Sequence, residues 1–124
     1  MHDDVALWKG RLKALNLADI GTVTDAALIR IAAGCPRLEA LDLSHGGDAV
    51  TDAGVIGLGG LRDLRSINVS NCSAVTDTSI ATLLRQCPHM TPTTLKADSE
   101  ATQGMQYQTA LIERRHSMQI FNPN

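Results

Sequence analysis

Aromatic side chains are nearly missing from this 124-residue chain: Trp8, Tyr107 and Phe121 are the only three. None falls between Lys9 and Gln106, so any core built across that stretch must be aliphatic. The scarcity also argues against a stacking platform for single-stranded nucleic acid. Charge of one sign is lacking as well. A formal net charge of −2 gives no strong pull toward nucleic acid or an anionic membrane surface. No apolar run approaches the roughly 20 residues of a membrane-spanning helix, so no membrane span is expected. Cysteine is present only at Cys35, Cys72 and Cys87. An odd count, behind an acidic start (Met1-His2-Asp3-Asp4) unlike a secretory or transit peptide, predicts no disulfide framework. The expected compartment is reducing, intracellular and cytoplasmic.

What the chain does have is a repeat. Leu12, Leu38, Leu64 and Met90 stand 26 residues apart. Behind the first three come apolar pairs, Leu15 and Leu17, Leu41 and Leu43, Ile67 and Val69, and then Thr24-Asp25, Thr51-Asp52 and Thr76-Asp77. Alternating apolar residues, as in Leu41-Asp42-Leu43, predict a short strand with one buried face. The Gly- and Asp-rich stretch 44–50 predicts a loop. Each Thr-Asp pair predicts a helix start, with the threonine as N-cap and the aspartate at the positive end of the dipole. Leu28 and Ile31, Val55 and Leu58, and Ile80 and Leu83 are spaced as the buried stripe of those helices. Gly34-Cys35-Pro36 and Gln86-Cys87-Pro88 predict two helix ends, because proline does not continue a helix. Gly57, Gly59 and Gly60 weaken the middle helix by about 1 kcal/mol each. Strands that return through helices run parallel. The expected class is therefore α/β: a solenoid with a short curved parallel sheet inside and helices outside.

Leu38-x-x-Leu41-x-Leu43, then Val50-Thr51-Asp52 and a helix, resembles a leucine-rich repeat. The third unit, with Leu64, Ile67, Val69, Cys72, Val75-Thr76-Asp77 and Cys87-Pro88, is similar to the cysteine-containing subclass found in the substrate-binding region of F-box proteins. Ile20 and Gly46 replace the loop cysteine in the first two units, and no F-box segment is visible. The resemblance spans roughly residues 11 to 96, about three and a half repeats. It implies protein recognition. The expected organisation is an N-terminal cap over 1–10, repeats over 11–96 and a C-terminal helical cap or tail over 97–124. Val5, Leu7 and Trp8 are the expected covering residues of the first unit.

Two surfaces are candidates for partner binding. Residues flanking the buried strand positions face the inside of the arc. With a constant interval they fall in three rows: Asn16, Asp42, Asn68 and Thr94; Ala14, Ala40, Ser66 and Pro92; Ala18, Ser44, Ser70 and Lys96. Asn16, Asp42, Ser44, Asn68, Ser70 and Thr94 are the expected contact residues. The rows hold no Trp, Tyr or Arg anchor, so a merely solvated ladder is the competing reading. Lys13, Glu39 and Arg65 beside them alternate in sign, as a solubilising surface does. The second surface is the tail. Asp98 to Met118 is helix-compatible with a weak point at Gly104. Tyr107, Leu111, Met118 and Phe121 share one helical face. That face either caps the last repeat or docks on another subunit.

No catalytic, metal or cofactor site is expected. Cys35 and Cys87 sit two repeats apart without a CxxC, which favours buried thiols over metal ligands. Asp42, Ser44, His45 and Asp48 include the residue types of a hydrolytic triad, but neighbours on a strand point to opposite faces. His2, His89 and His116 are isolated, and Gly57-Leu58-Gly59-Gly60 falls at a helix end, not in a phosphate loop. The functional expectation is a non-catalytic protein–protein interaction module, a substrate-recognition piece or a small subunit of a multi-subunit complex. The alternative is a structural assembly factor acting through its tail.

Overall fold

The computed structural model describes residues 10–20 and 23–121, with side chains of the last helix as far as Arg115. The cap expected from Val5, Leu7 and Trp8 lies outside the described residues. Strand and helix alternate: β1 (Ala14–Asn16), α1 (Asp25–Gly34), β2 (Ala40–Asp42), α2 (Asp52–Gly57), β3 (Ser66–Asn68), α3 (Asp77–Gln86) and β4 (Leu95–Lys96). Two further helices follow, α4 (Ser99–Gln103) and α5 (Met105–Phe121). The four strands form one parallel sheet in the order β1-β2-β3-β4. Ala14 lies opposite Ala40 and Ala40 opposite Ser66, so the interval read from the sequence is also the sheet register of the first three strands.

The helices start and stop for the expected reasons. Thr24, Thr51 and Thr76 are the N-caps, accepting from the amides of Ala27, Ala53 and Thr78. Cys35 and Cys87 end α1 and α3, their amides donating to the Ile31 and Leu83 carbonyls at 2.8 Å. The glycine-rich helix α2 is the short one, 6 residues against 10 in α1 and α3, and it runs into a 3-10 turn at Leu58–Gly60.

Leu41, Ile67 and Leu95 point from the strands toward the helices and are buried with Leu28, Val55, Ile80 and Leu83. All three cysteines are buried free thiols in this aliphatic core. Helices pack in sequence, α1 on α2, α2 on α3 and α3 on α5. Helices need about 8–10 Å between axes, whereas strands need about 4.8 Å. The strand side is thus the side of closer spacing, and the sheet face away from the helices is its inner face.

One expectation about register is corrected. Lys96, not Thr94, is opposite Asn68, and Leu95 is opposite Ile67. Met90 is buried where Leu38 and Leu64 are, but five residues separate it from Leu95, where three separate Leu64 from Ile67. The two extra residues are taken up in the turn Thr91–Thr94, tied by bonds among the Thr91, Thr93 and Thr94 hydroxyls.

Candidate functional site

The short strands leave the inner face of the sheet bare. Ala14, Ala40 and Ser66 form its floor, and Asn16, Asp42, Asn68 and Lys96 form the adjoining row. Together with Thr93 and Thr94 they line an open concavity of about 530 Å³. Thr94 belongs beside the floor, next to Ser66, because its hydroxyl donates to the Arg65 carbonyl. Pro92 joins neither row.

The row has a structural duty the sequence reading missed. Each Asn or Asp at a strand end accepts, through Oδ1, the amide two residues on. Asn16 takes Ala18 at 2.9 Å, Asp42 takes Ser44 at 2.9 Å and Asn68 takes Ser70 at 3.0 Å. These Asx turns bend the chain out of the sheet. The amide and then the hydroxyl of Ser44 hold the Asp42 carboxyl below its usual range against partial burial, helped by the charges of His45 and Lys96. The next residue in each turn, Asp19, His45 or Asn71, has φ between 60° and 64°. Asp, Asn and His tolerate that left-handed conformation better than most side chains. His45 Nδ1 and Asn71 Nδ2 lie 3.1 Å apart, so these residues stack as a column along the loop edge.

Ser44 was expected on the inner face, and the structure corrects this: it is 7% exposed, tucked under the loop. Ser70 is half-buried. The face therefore presents Asn16, Asp42, Asn68 and, shifted beside Ser66, Thr94 from the expected set, plus Lys96, which a constant repeat interval had placed elsewhere. It has a negative centre at Asp42 and a positive edge at Lys96. Beside it, Glu39 lies 4.0 Å from Lys13 and 3.8 Å from Arg65, an exposed trio that adds little stability.

The joints between units are also clearer than the sequence allowed. Asp25 accepts the Thr51 amide at 2.8 Å and its hydroxyl at 2.5 Å. Asp52 does the same for Thr76 and takes the Ser79 hydroxyl at 2.6 Å. Burial pushes the Asp52 carboxyl up, but the Ser79 and Thr76 hydroxyl bonds outweigh it and leave the group below its usual range. Gly54 makes room for this arrangement: a Cβ there would sit 2.3 Å from Asp25 Oδ1.

The tail is spent largely on the last unit. A break at Gly104 separates α4 from α5, at the weak point expected. There Asp77 Oδ2 accepts the Gln106 and Tyr107 amides at 2.9 and 3.4 Å, so the Asp77 joint closes on α5. Arg114 donates to the carbonyls of Leu84, Cys87, Pro88 and Met90. Arg85 and Glu113 form an exposed pair at 2.8 Å. Tyr107 and Ala110 are buried and Leu111 packs on the core. Tyr107 is thus committed to the last unit, and Leu111 is only partly buried against it. The side chains of Met118 and Phe121 lie outside the described residues. Among the described residues, Ile112 and Met105, 57% and 83% exposed, are the large apolar side chains this segment presents.

Among the described residues no three His, Cys, Asp or Glu side chains converge as metal ligands, and no helix is long and apolar enough to cross a membrane. Ser44 is buried while His45 is exposed at the loop edge. No protein-family model and no curated protein matches the chain.

Proposed function

We propose that the chain is a short leucine-rich-repeat array that acts as a non-catalytic interaction module, holding a protein partner on the inner face of its sheet. The observation that carries this reading is the bare face itself. All-parallel sheets are almost always covered on both sides. Here the side opposite the helices carries no element among the described residues, only an open concavity over all four strands. Its floor of Ala14, Ala40 and Ser66 admits close approach of a partner backbone. Asn16 and Asn68 each keep a side-chain amide free to donate once Oδ1 is used in its turn, and Asp42 keeps its second oxygen. Lys96 adds a cation at one edge.

Arginine at both Ala40 and Ser66 tests the reading, because neither side chain takes part in a hydrogen bond of the fold. The double substitution is expected to abolish capture of the native partner while the melting temperature stays within a few degrees. Undiminished capture would refute the inner-face reading. A second reading, assembly through the tail, draws on exposed Met105 and Ile112. Under it, Ile112→Arg abolishes capture and the Ala40/Ser66 pair does not.

A further inference from the structure

A net charge close to zero hides a division of charge between two edges. Strands enter and helices end at one edge of the array; strands leave and helices start at the other. The entry edge carries Arg11, Lys13, Arg37, Arg62, Arg65 and Arg85, all exposed, with Glu39, Asp63 and Glu113 among them. The opposite edge carries Asp19, Asp42, Asp48, Asp52, Asp77 and Asp98, with Lys96 among them. Helices α1 and α3 are 10 residues long, which sets the edges about 15 Å apart. Salt at physiological strength screens charge over about 8 Å. An approaching group therefore meets the charge of one edge, not the −2 of the whole chain.

The entry edge is shaped as well as charged. Gly59, Gly60, Arg62, Arg85 and Gln86 line an open concavity of about 460 Å³. Gly59 has no Cβ to collide with Gln86 Oε1, so that side chain lies across the glycine turn. Arg37 and Arg62 form no ion pair among the described residues. Arg85 gives Nε and Nη2 to Glu113 and keeps Nη1. Carbonyls at a helix end repel anions. Here the Leu84, Cys87, Pro88 and Met90 carbonyls are already taken by Arg114. Arginine forks grip carboxylates with paired bonds.

We propose that this edge, centred on Arg62 and Arg85, docks an acidic segment of a protein partner. One carboxylate of the segment enters the concavity between the two guanidinium groups, and further ones meet Arg37 and Arg65 along the edge. Glu39 and Asp63 select this occupant over a nucleic-acid backbone. They interrupt the cations, so a strand with a phosphate at every step sets charges against them. A peptide carries carboxylates only where cations stand. The stretch between Lys9 and Gln106, which holds these cations, has no aromatic side chain on which bases could stack. A second copy is a poorer match, because Asp42, Asp52, Asp77 and Asp98 on its opposite edge already accept bonds of their own fold. The surface is separate from the inner face, and neither reading depends on the other.

The test uses the full chain and a labelled peptide of alternating glutamate and alanine, its glutamine counterpart, and a duplex DNA of similar charge. Fluorescence anisotropy in dilute buffer should show the glutamate peptide bound and the glutamine peptide free. Arg37→Gln combined with Arg62→Gln should weaken binding about tenfold at an unchanged melting temperature. Added salt should weaken it too. Lys96→Gln, at the inner face, should leave it unchanged. No binding by the glutamate peptide, or binding indifferent to the arginine pair, overturns the proposal, and so does loss on Lys96→Gln. Tighter binding of the DNA overturns the choice of a protein segment. Self-association of the unmodified chain that the arginine pair abolishes overturns the choice of a partner over a second copy. Asp3→Asn with Asp4→Asn should change nothing; a gain in peptide affinity would make the chain's own acidic start the occupant and overturn that choice as well.

Discussion

The two ends of the array are made of equivalent residues and differ in how they finish. At the far end Met90 and Leu95 are as buried as their counterparts in the middle, because α5 lies where a further helix would. At the near end Leu12, Leu15 and Leu17 keep part of their surface. On α1 and α2, Ile29 and Ile56 are exposed, while Ala81, at the same place in α3, is covered. Among the described residues, what separates the ends is what is laid against them. The far end adds two polar devices to the apolar cover, the Asp77 joint and the Arg114 guanidinium.

The sharpest way to break this contrast is to remove the second device. Arg114→Ala removes the guanidinium donor from the Leu84, Cys87, Pro88 and Met90 carbonyls. It should cost about 3 kcal/mol, measured by urea unfolding, with little change from Arg115→Ala. Asp52→Asn comes next. It keeps the shape but weakens three accepted bonds, and should cost about 2 kcal/mol.

The third test compares the ends directly. Thr51→Val removes a cap and a joint and should cost about 2 kcal/mol, whereas Thr24→Val removes only a cap and should cost about 1 kcal/mol. Equal costs would mean that Thr24 already meets a carboxylate. The fourth concerns pH. Asp52 and Asp42 titrate lower in the folded chain than in the unfolded one. Their contribution is whole above the unfolded value, near pH 4, and is lost as pH falls through the folded values. Asp52→Asn should flatten the fall in melting temperature below about pH 4 relative to the parent. The smallest effect is expected at the exposed Arg85–Glu113 pair: Glu113→Gln should lower the melting temperature slightly in dilute buffer and not at all in concentrated salt.

The parallel sheet and its returning helices were legible in the sequence because their core positions repeat as residue types. Leucine, isoleucine or valine at strand centres, Thr-Asp at helix starts and Cys-Pro at two helix ends each act within a few residues. The joints were not legible. The same Asp that favours its own helix start also bonds a threonine 24 to 26 residues away, and a single residue type does not announce two partners. The slip at β4 was hidden because Met90 satisfies the interval while the Thr91–Thr94 turn absorbs two residues. As a result Lys96 joins the inner face and Thr94 moves beside Ser66. Ser44 was misplaced because alternation along a strand ceases to hold once Asp42 turns the chain.

The Thr-Asp pair carries both halves of a joint within one unit: the threonine addresses the unit before and the aspartate the unit after. A unit copied or deleted whole takes its couplings with it, so neither neighbour must change to receive it. Such a chain can alter its length by duplication and keep every junction satisfied. Only the closing segment, with Gly104 shaped to admit Asp77 and Arg114 fitted to the end of α3, is particular to its place.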